Sequence, residues 1–104
     1  MDVKELTDEN FSSEIKEGIF LVDFHATWCG PCRILTPIIE EIAKYFEGKI
    51  KVAKLDIDSQ QKIAAEYQVT SVPTLVIFVN GQEKNRMIGL RNFDEIKDLI
   101  SEEV

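Results

Sequence analysis

Cysteine, histidine and tryptophan are scarce in this 104-residue chain, which holds two, one and one of them. So few cysteines cannot lace a fold together as they do in small secreted scaffolds. A chain of this length with 44% hydrophobic residues is large enough to bury one core unaided, so residues 1–104 are read as a single domain whose cysteines are free for chemistry. A tetrahedral zinc site is also undersupplied: Cys29, Cys32 and His25 would need ligands from a second copy. No apolar run reaches the length of a membrane span. No glycine-rich phosphate loop offers a cradle for a nucleotide or flavin. Twelve basic residues against nineteen acidic leave a net charge of −7, with no stripe of Lys or Arg, which disfavours nucleic acid as a partner. Met1 to Asn10 carries acidic residues where a secretion signal needs a basic start and an apolar stretch, so a reducing, cytoplasmic compartment is expected.

What is present centres on Trp28-Cys29-Gly30-Pro31-Cys32. An apolar run from Ile19 to Ala26 precedes it and reads as a buried strand, and a helical pattern follows from Pro31. The cysteines therefore sit where a strand hands over to a helix. In a reducing compartment a lone Cys-x-x-Cys is more often catalytic than structural.

Around this motif the chain alternates. Thr7 is expected to cap a short helix holding Phe11 and Ile15, closed by Gly18 before a strand at Phe20 to His25. Leu35, Ile38, Ile39, Ile42, Ala43 and Phe46 form the apolar stripe of the next helix, in which Pro37 predicts a bend and which Gly48 ends. Lys49 to Asp56 reads as a strand, followed by a helix capped by Asp58 or Ser59 and carrying Ile63, Ala64 and Tyr67. Leu75 to Val79 is a continuous apolar strand, and Asn80-Gly81 suits a tight hairpin returning through Lys84 to Leu90. Asn92 with Glu95 resembles a capping box opening a last helix that turns Phe93, Ile96, Leu99 and Ile100 inward. This order gives an α/β fold: a central mixed sheet of four to five strands, parallel in its first half, with helices on both faces. The first strand is the weakly marked one.

Position dictates the roles of the cysteines. Cys29 stands at a helix start, where unpaired N–H groups and the helix dipole favour a negative charge by about 0.3 to 2 kcal/mol, and so favour a nucleophilic thiolate. Cys32, one turn on, is a neighbour able to attack a mixed disulfide on Cys29 at high effective concentration and release the substrate reduced. Closing the pair requires the first turn to tighten slightly. Asp23 interrupts an apolar strand, and burial raises a carboxyl pKa towards the range where it can exchange protons at neutral pH.

Phe24 to Arg33, with Asp23, Lys54, Ser71-Val72-Pro73-Thr74, Asn80-Gly81 and Gly89 at matching separations, resembles the thioredoxin family along essentially the whole chain. The resemblance implies the thioredoxin fold and general protein-disulfide reductase activity, with no bound cofactor beyond a redox-active Cys29–Cys32 disulfide. It implies that Asp23 takes the proton of Cys32 through a water, that Lys54 pairs with that carboxylate, and that the Val72-Pro73 bond is cis. Val72 would offer its backbone to an extended peptide. Trp28, Gly30, Pro31, Val72, Pro73 and Gly89 would form the docking surface, although Trp28 also fits a core position and Gly89 a strand bulge. Pro31 in place of a histidine points to a reductant. Electrons would come from a thioredoxin reductase using NADPH or ferredoxin, the substrates being disulfide-containing proteins and the molecule a monomer.

Three other readings remain at this level. One is a thioredoxin-like interaction subunit with incidental thiols, another a disulfide oxidase or isomerase, and the third a metal site. His25, where the family usually has an aromatic residue, is either a strand-end residue or an influence on the pH dependence of the thiols.

Overall fold

The computed structural model describes residues 3–104; Met1 and Asp2, the start of the segment read for a secretion signal, lie outside it. Strands β1 (Lys4–Glu5), β2 (Ile19–His25), β3 (Lys51–Asp56), β4 (Thr74–Val79) and β5 (Gln82–Ile88) alternate with helices α1 (Phe11–Glu14), α2 (Gly30–Tyr45), α3 (Gln61–Glu66) and α4 (Phe93–Ser101). They form one five-stranded sheet in the order β1-β3-β2-β4-β5. β1, β3 and β2 run parallel, and β4 and β5 run antiparallel to their neighbours.

The apolar run of β2 follows from its central place, which buries both of its faces. Leu21 joins Val52, Leu75 and Ile77 beneath α2 and α4, where Leu35, Ile39, Ile42, Ile96 and Ile100 close one core. Phe20, Val22 and Phe24 turn the other way and meet Phe11, Ile15, Ile63 and Phe78. Asp23 shares the α2 side with Leu21, because alternate residues of a strand point to the same face.

The doubtful first strand is β1, a two-residue edge strand exposed along its length and held to β3 by pairs such as Glu5 with Lys54. α1 begins after Asn10 and not directly after Thr7, and the Asn10 side chain makes no capping bond into the helix. Thr7 and Asn10 instead exchange bonds: Thr7 N donates to Asn10 Oδ1 at 2.8 Å, and Asn10 N to Thr7 Oγ1 at 3.2 Å. Neither Asp58 nor Ser59 caps α3, which starts after Gln60. Its leading amides find Asp8 from the N-terminal turn, with Ile63 N donating to Oδ1 at 2.9 Å and Lys62 N to Oδ2 at 3.3 Å.

α2 continues unbroken through Pro37. The Asn80-Gly81 hairpin forms as expected, with both residues at positive φ, +50° and +85°, the conformation a type I′ turn demands. α4 opens on a complete capping box between Asn92 and Glu95.

Candidate active site

Cys29 is the N-cap of α2, in extended conformation at φ −88° and ψ 113°, with Gly30 and Pro31 as the first helical residues. Proline is tolerated there because an N–H at that point would have no helical partner. The amide of Cys32 donates to Cys29 Sγ at 3.2 Å, so the sulfur stands where a capping oxygen usually does. A thiolate at this sulfur would receive the same N–H bond and the positive end of the helix. The two sulfurs are joined in a disulfide, with the Cα atoms 5.3 Å apart, inside the span such a bridge requires.

Both cysteines are buried and pack with Ala26, Ile57 and Val72 in a cluster separate from the two main cores. Trp28 beside them is 65% exposed, which removes the core reading of this residue. Its indole Nε1 donates to Asp58 Oδ2 at 2.7 Å, holding the ring at the surface. Asp58 lies thirty positions further on and carried no signal of this contact in the sequence.

The Val72-Pro73 peptide is cis, and the Val72 carbonyl oxygen lies 3.8 Å from Cys29 Sγ. Val72 precedes the first rung of β4, and its N–H has no partner among the described residues. An extended peptide could therefore pair with this backbone as an added strand next to the reacting sulfur. Gly89 adjoins the same corner: its N–H donates to the Pro73 carbonyl at 2.8 Å, its φ is +95°, and a Cβ there would meet no atom within 4 Å. Flanking Ile88 and Leu90 are exposed, so apolar surface continues on either side of it.

Behind the disulfide lies a cavity of about 120 Å³ lined by Asp23, His25, Ala26, Thr27, Cys32, Arg33, Thr36 and Lys54. It is roomy enough for ordered water and polar enough to hold it. Asp23 is 4% exposed and its Oδ1 has no hydrogen-bond partner among the described residues. Burial pushes this carboxyl up to about 6, against the opposing fields of His25 and Lys54 and with a further push from Glu5.

The expected Lys54–Asp23 ion pair is not formed. The two are neighbours in the sheet register, but the Lys54 ammonium lies 3.7 Å from Glu5 Oε1. Lys54 is more than one third exposed, and water outside the sheet solvates it better than the buried carboxylate could. Glu5 also holds His25, whose Nε2 is 3.2 Å from Glu5 Oε2. This bridging role was invisible in the sequence because it depends on β1.

The thioredoxin family model matches residues 2–102. The chain belongs to the thioredoxin family. The thioredoxin of Staphylococcus aureus strain Mu50 is 40% identical over 100 residues, 96% of either chain, and those of strains MW2 and N315 match equally. The five-stranded mixed sheet with its four helices is the thioredoxin fold, and Cys29–Cys32 is its redox-active disulfide. Among the described residues no helix is long and apolar enough to cross a membrane. No group of three or more His, Cys, Asp or Glu side chains is gathered there to hold a metal ion.

Proposed function

We infer that this thioredoxin-family chain is a protein-disulfide reductase, and that Cys29 and Cys32 divide the reaction between them. The observation that carries the reading is the Cys32 N–H bonded to Cys29 Sγ at the start of α2, beside a Val72 N–H with no partner among the described residues. In the dithiol form the Cys29 thiolate attacks one sulfur of a substrate disulfide. A Cys29–substrate mixed disulfide forms, and the other substrate sulfur leaves as a thiolate that takes up a proton. The Cys32 thiol then gives its proton, through water in the cavity, to Asp23, and its thiolate attacks Cys29 Sγ. The second substrate sulfur leaves as a thiolate and takes up the proton held by Asp23 through the cavity water, the Cys29–Cys32 disulfide forms, and two electrons have passed to the substrate.

We propose that substrates dock on Trp28, Gly30, Pro31, Val72, Pro73 and Gly89. Exposure of Trp28 and the free backbone at Val72 support that placement, and backbone pairing favours a broad range of extended peptides. Lys54 acts on Asp23 only through its field, damping the rise caused by burial.

Regeneration requires two electrons and two protons from a thioredoxin reductase, drawing on NADPH or ferredoxin. The proposal extends to residues 1–104 acting as one thioredoxin domain, a monomer in the cytoplasm, where electron transport of this kind serves redox homeostasis.

The test is reduction of insulin disulfides driven by dithiothreitol, with each cysteine replaced in turn. Cys32→Ser should accumulate a mixed disulfide on Cys29. Adducts on Cys32 in Cys29→Ser, with none on Cys29 in the converse variant, would reverse the assignment.

A further inference from the structure

His25 ends β2 two residues after Asp23, and the alternation of a strand turns both side chains to the α2 face. Both line the cavity that reaches Cys32. The imidazole is tied down: Nε2 lies 3.2 Å from Glu5 Oε2 and the ring is only 17% exposed. Every neighbouring element contributes charge here. Glu5 comes from β1, Asp23 from β2, and Lys54 with Asp56, the register partner of His25, from β3. Arg33 comes from α2, as does Glu40, which lines a second small pocket with Asp23 and Lys54.

The other cations are permanent: Arg33 donates to the Thr27 carbonyl at 2.9 Å, and Lys54 shares Glu5 with His25. A histidine is different, because it gains or loses its charge between about pH 5 and 8. It is also less exposed than Lys54, so its field is screened less by solvent.

We propose that His25, anchored by Glu5, is a positioning residue for proton transfer at Cys32, its charge holding the neighbouring Asp23 ready as a base. The step it serves is the one above: the Cys32 proton moves to the Asp23 carboxylate, and His25 neither gains nor loses a bond to sulfur. A protonated imidazole favours the Asp23 carboxylate, in keeping with His25 being the strongest of the influences that lower its pKa. Near pH 8 Asp23 is ionised with or without that help, its own pKa standing at about 6.

The inference rests on Asp23 acting as the base, and the experiment separates the two ideas. First, the Asp23 side-chain carbon is titrated by NMR in the oxidised protein, where neither cysteine carries a proton. His25→Gln should move the Asp23 midpoint up by about 0.5 to 1 pH unit, and His25→Lys should return it to the native value or lower. Lost packing would displace both variants in the same direction, and that result, or an unmoved midpoint in His25→Gln, overturns the inference. Second, release of substrate from the Cys29 mixed disulfide is timed across pH. The acid limb in His25→Gln should lie at higher pH, with release about two- to fourfold slower near pH 6 and unchanged near pH 8. An Asp23→Asn variant that releases substrate at the native rate refutes the base itself, while the NMR titration still judges His25.

Discussion

The indole N–H of Trp28 donates to the carboxylate of Asp58 across 2.7 Å, joining the residue before the nucleophile to the loop that follows β3. A ring exposed to 65% would otherwise sample several rotamers, and the bond selects one in advance of docking. Asp58→Ala should therefore slow mixed-disulfide formation with a protein substrate about three- to tenfold, the equivalent of roughly 0.7 to 1.4 kcal/mol. Global stability should change by less than about 1 kcal/mol, because both groups are at the surface. Rates with a small reagent such as dithiobisnitrobenzoate, which needs no docking platform, should barely move. Equal slowing for both oxidants would show that Asp58 acts on the thiols and not on the surface.

Asp23 is stored in a state that costs the fold stability whenever it is ionised. Its pKa rises from an ordinary 3.8 to about 6 on folding, so between those values the native state binds more protons than the unfolded chain. Stability is then greatest below the lower value and falls as pH climbs through the upper one, a difference on the order of 3 kcal/mol. Asp23→Asn should raise the urea midpoint at pH 8 and give little or no gain near pH 4. A gain of the same size at both values would place the effect in packing and not in the charge. In the same variant the release of substrate by Cys32 should slow from pH 6 to 8.

How much of this could be read beforehand depended on the range of the forces involved. Phe20 to His25 and Leu75 to Val79 were legible as strands because both of their faces are buried, leaving unbroken apolar runs. α2 declared itself by its stripe, and the Asn80-Gly81 turn and the Asn92–Glu95 box by chemistry contained within four residues. β1 did not, since Lys4 and Glu5 form a strand only because the edge of β3 offers hydrogen bonds. The ammonium of Lys54 faces Glu5 for the same reason: Glu5 is brought beside it by that unmarked strand. Within the site, the cysteines and Asp23 were visible through their local setting. The anchors Asp58 and Glu5 were not, because each acts across twenty or more positions.

Gly89 offers a separation of backbone strain from docking. With φ at +95°, any L side chain is disfavoured, and Gly89→Ala should cost about 1 to 2 kcal/mol in a urea melt. Apart from the adjoining residues of the chain, no atom of the described residues stands within 4 Å of the added methyl group, so nothing further is lost in the free molecule. A peptide lying along Val72 would meet that methyl group. Mixed-disulfide formation with insulin should slow accordingly, whereas reaction with a small disulfide should not. An unimpaired rate with insulin would move the docking surface away from Gly89.

Asp8 caps a helix to which it does not belong, accepting from Ile63 N and Lys62 N while its own amide donates to Gln60 Oε1 at 2.7 Å. The carboxylate thus satisfies two orphan amides, sits at the positive end of α3, and fastens the segment between β1 and α1 to α3 on the same face of the sheet. Asp8→Ala should cost about 1 to 2 kcal/mol, at least as much as Asn92→Ala at the ordinary capping box of α4. Ser59→Ala, at a residue expected from the sequence to cap α3, should cost almost nothing. Amide exchange supplies the decisive measurement, because loss of this bridge should speed exchange at Lys62 and Ile63 before any change appears in β2 or β4. If Ser59→Ala proves as damaging as Asp8→Ala, the cap is local after all, and α3 would stand on its own sequence without help from the N-terminal turn.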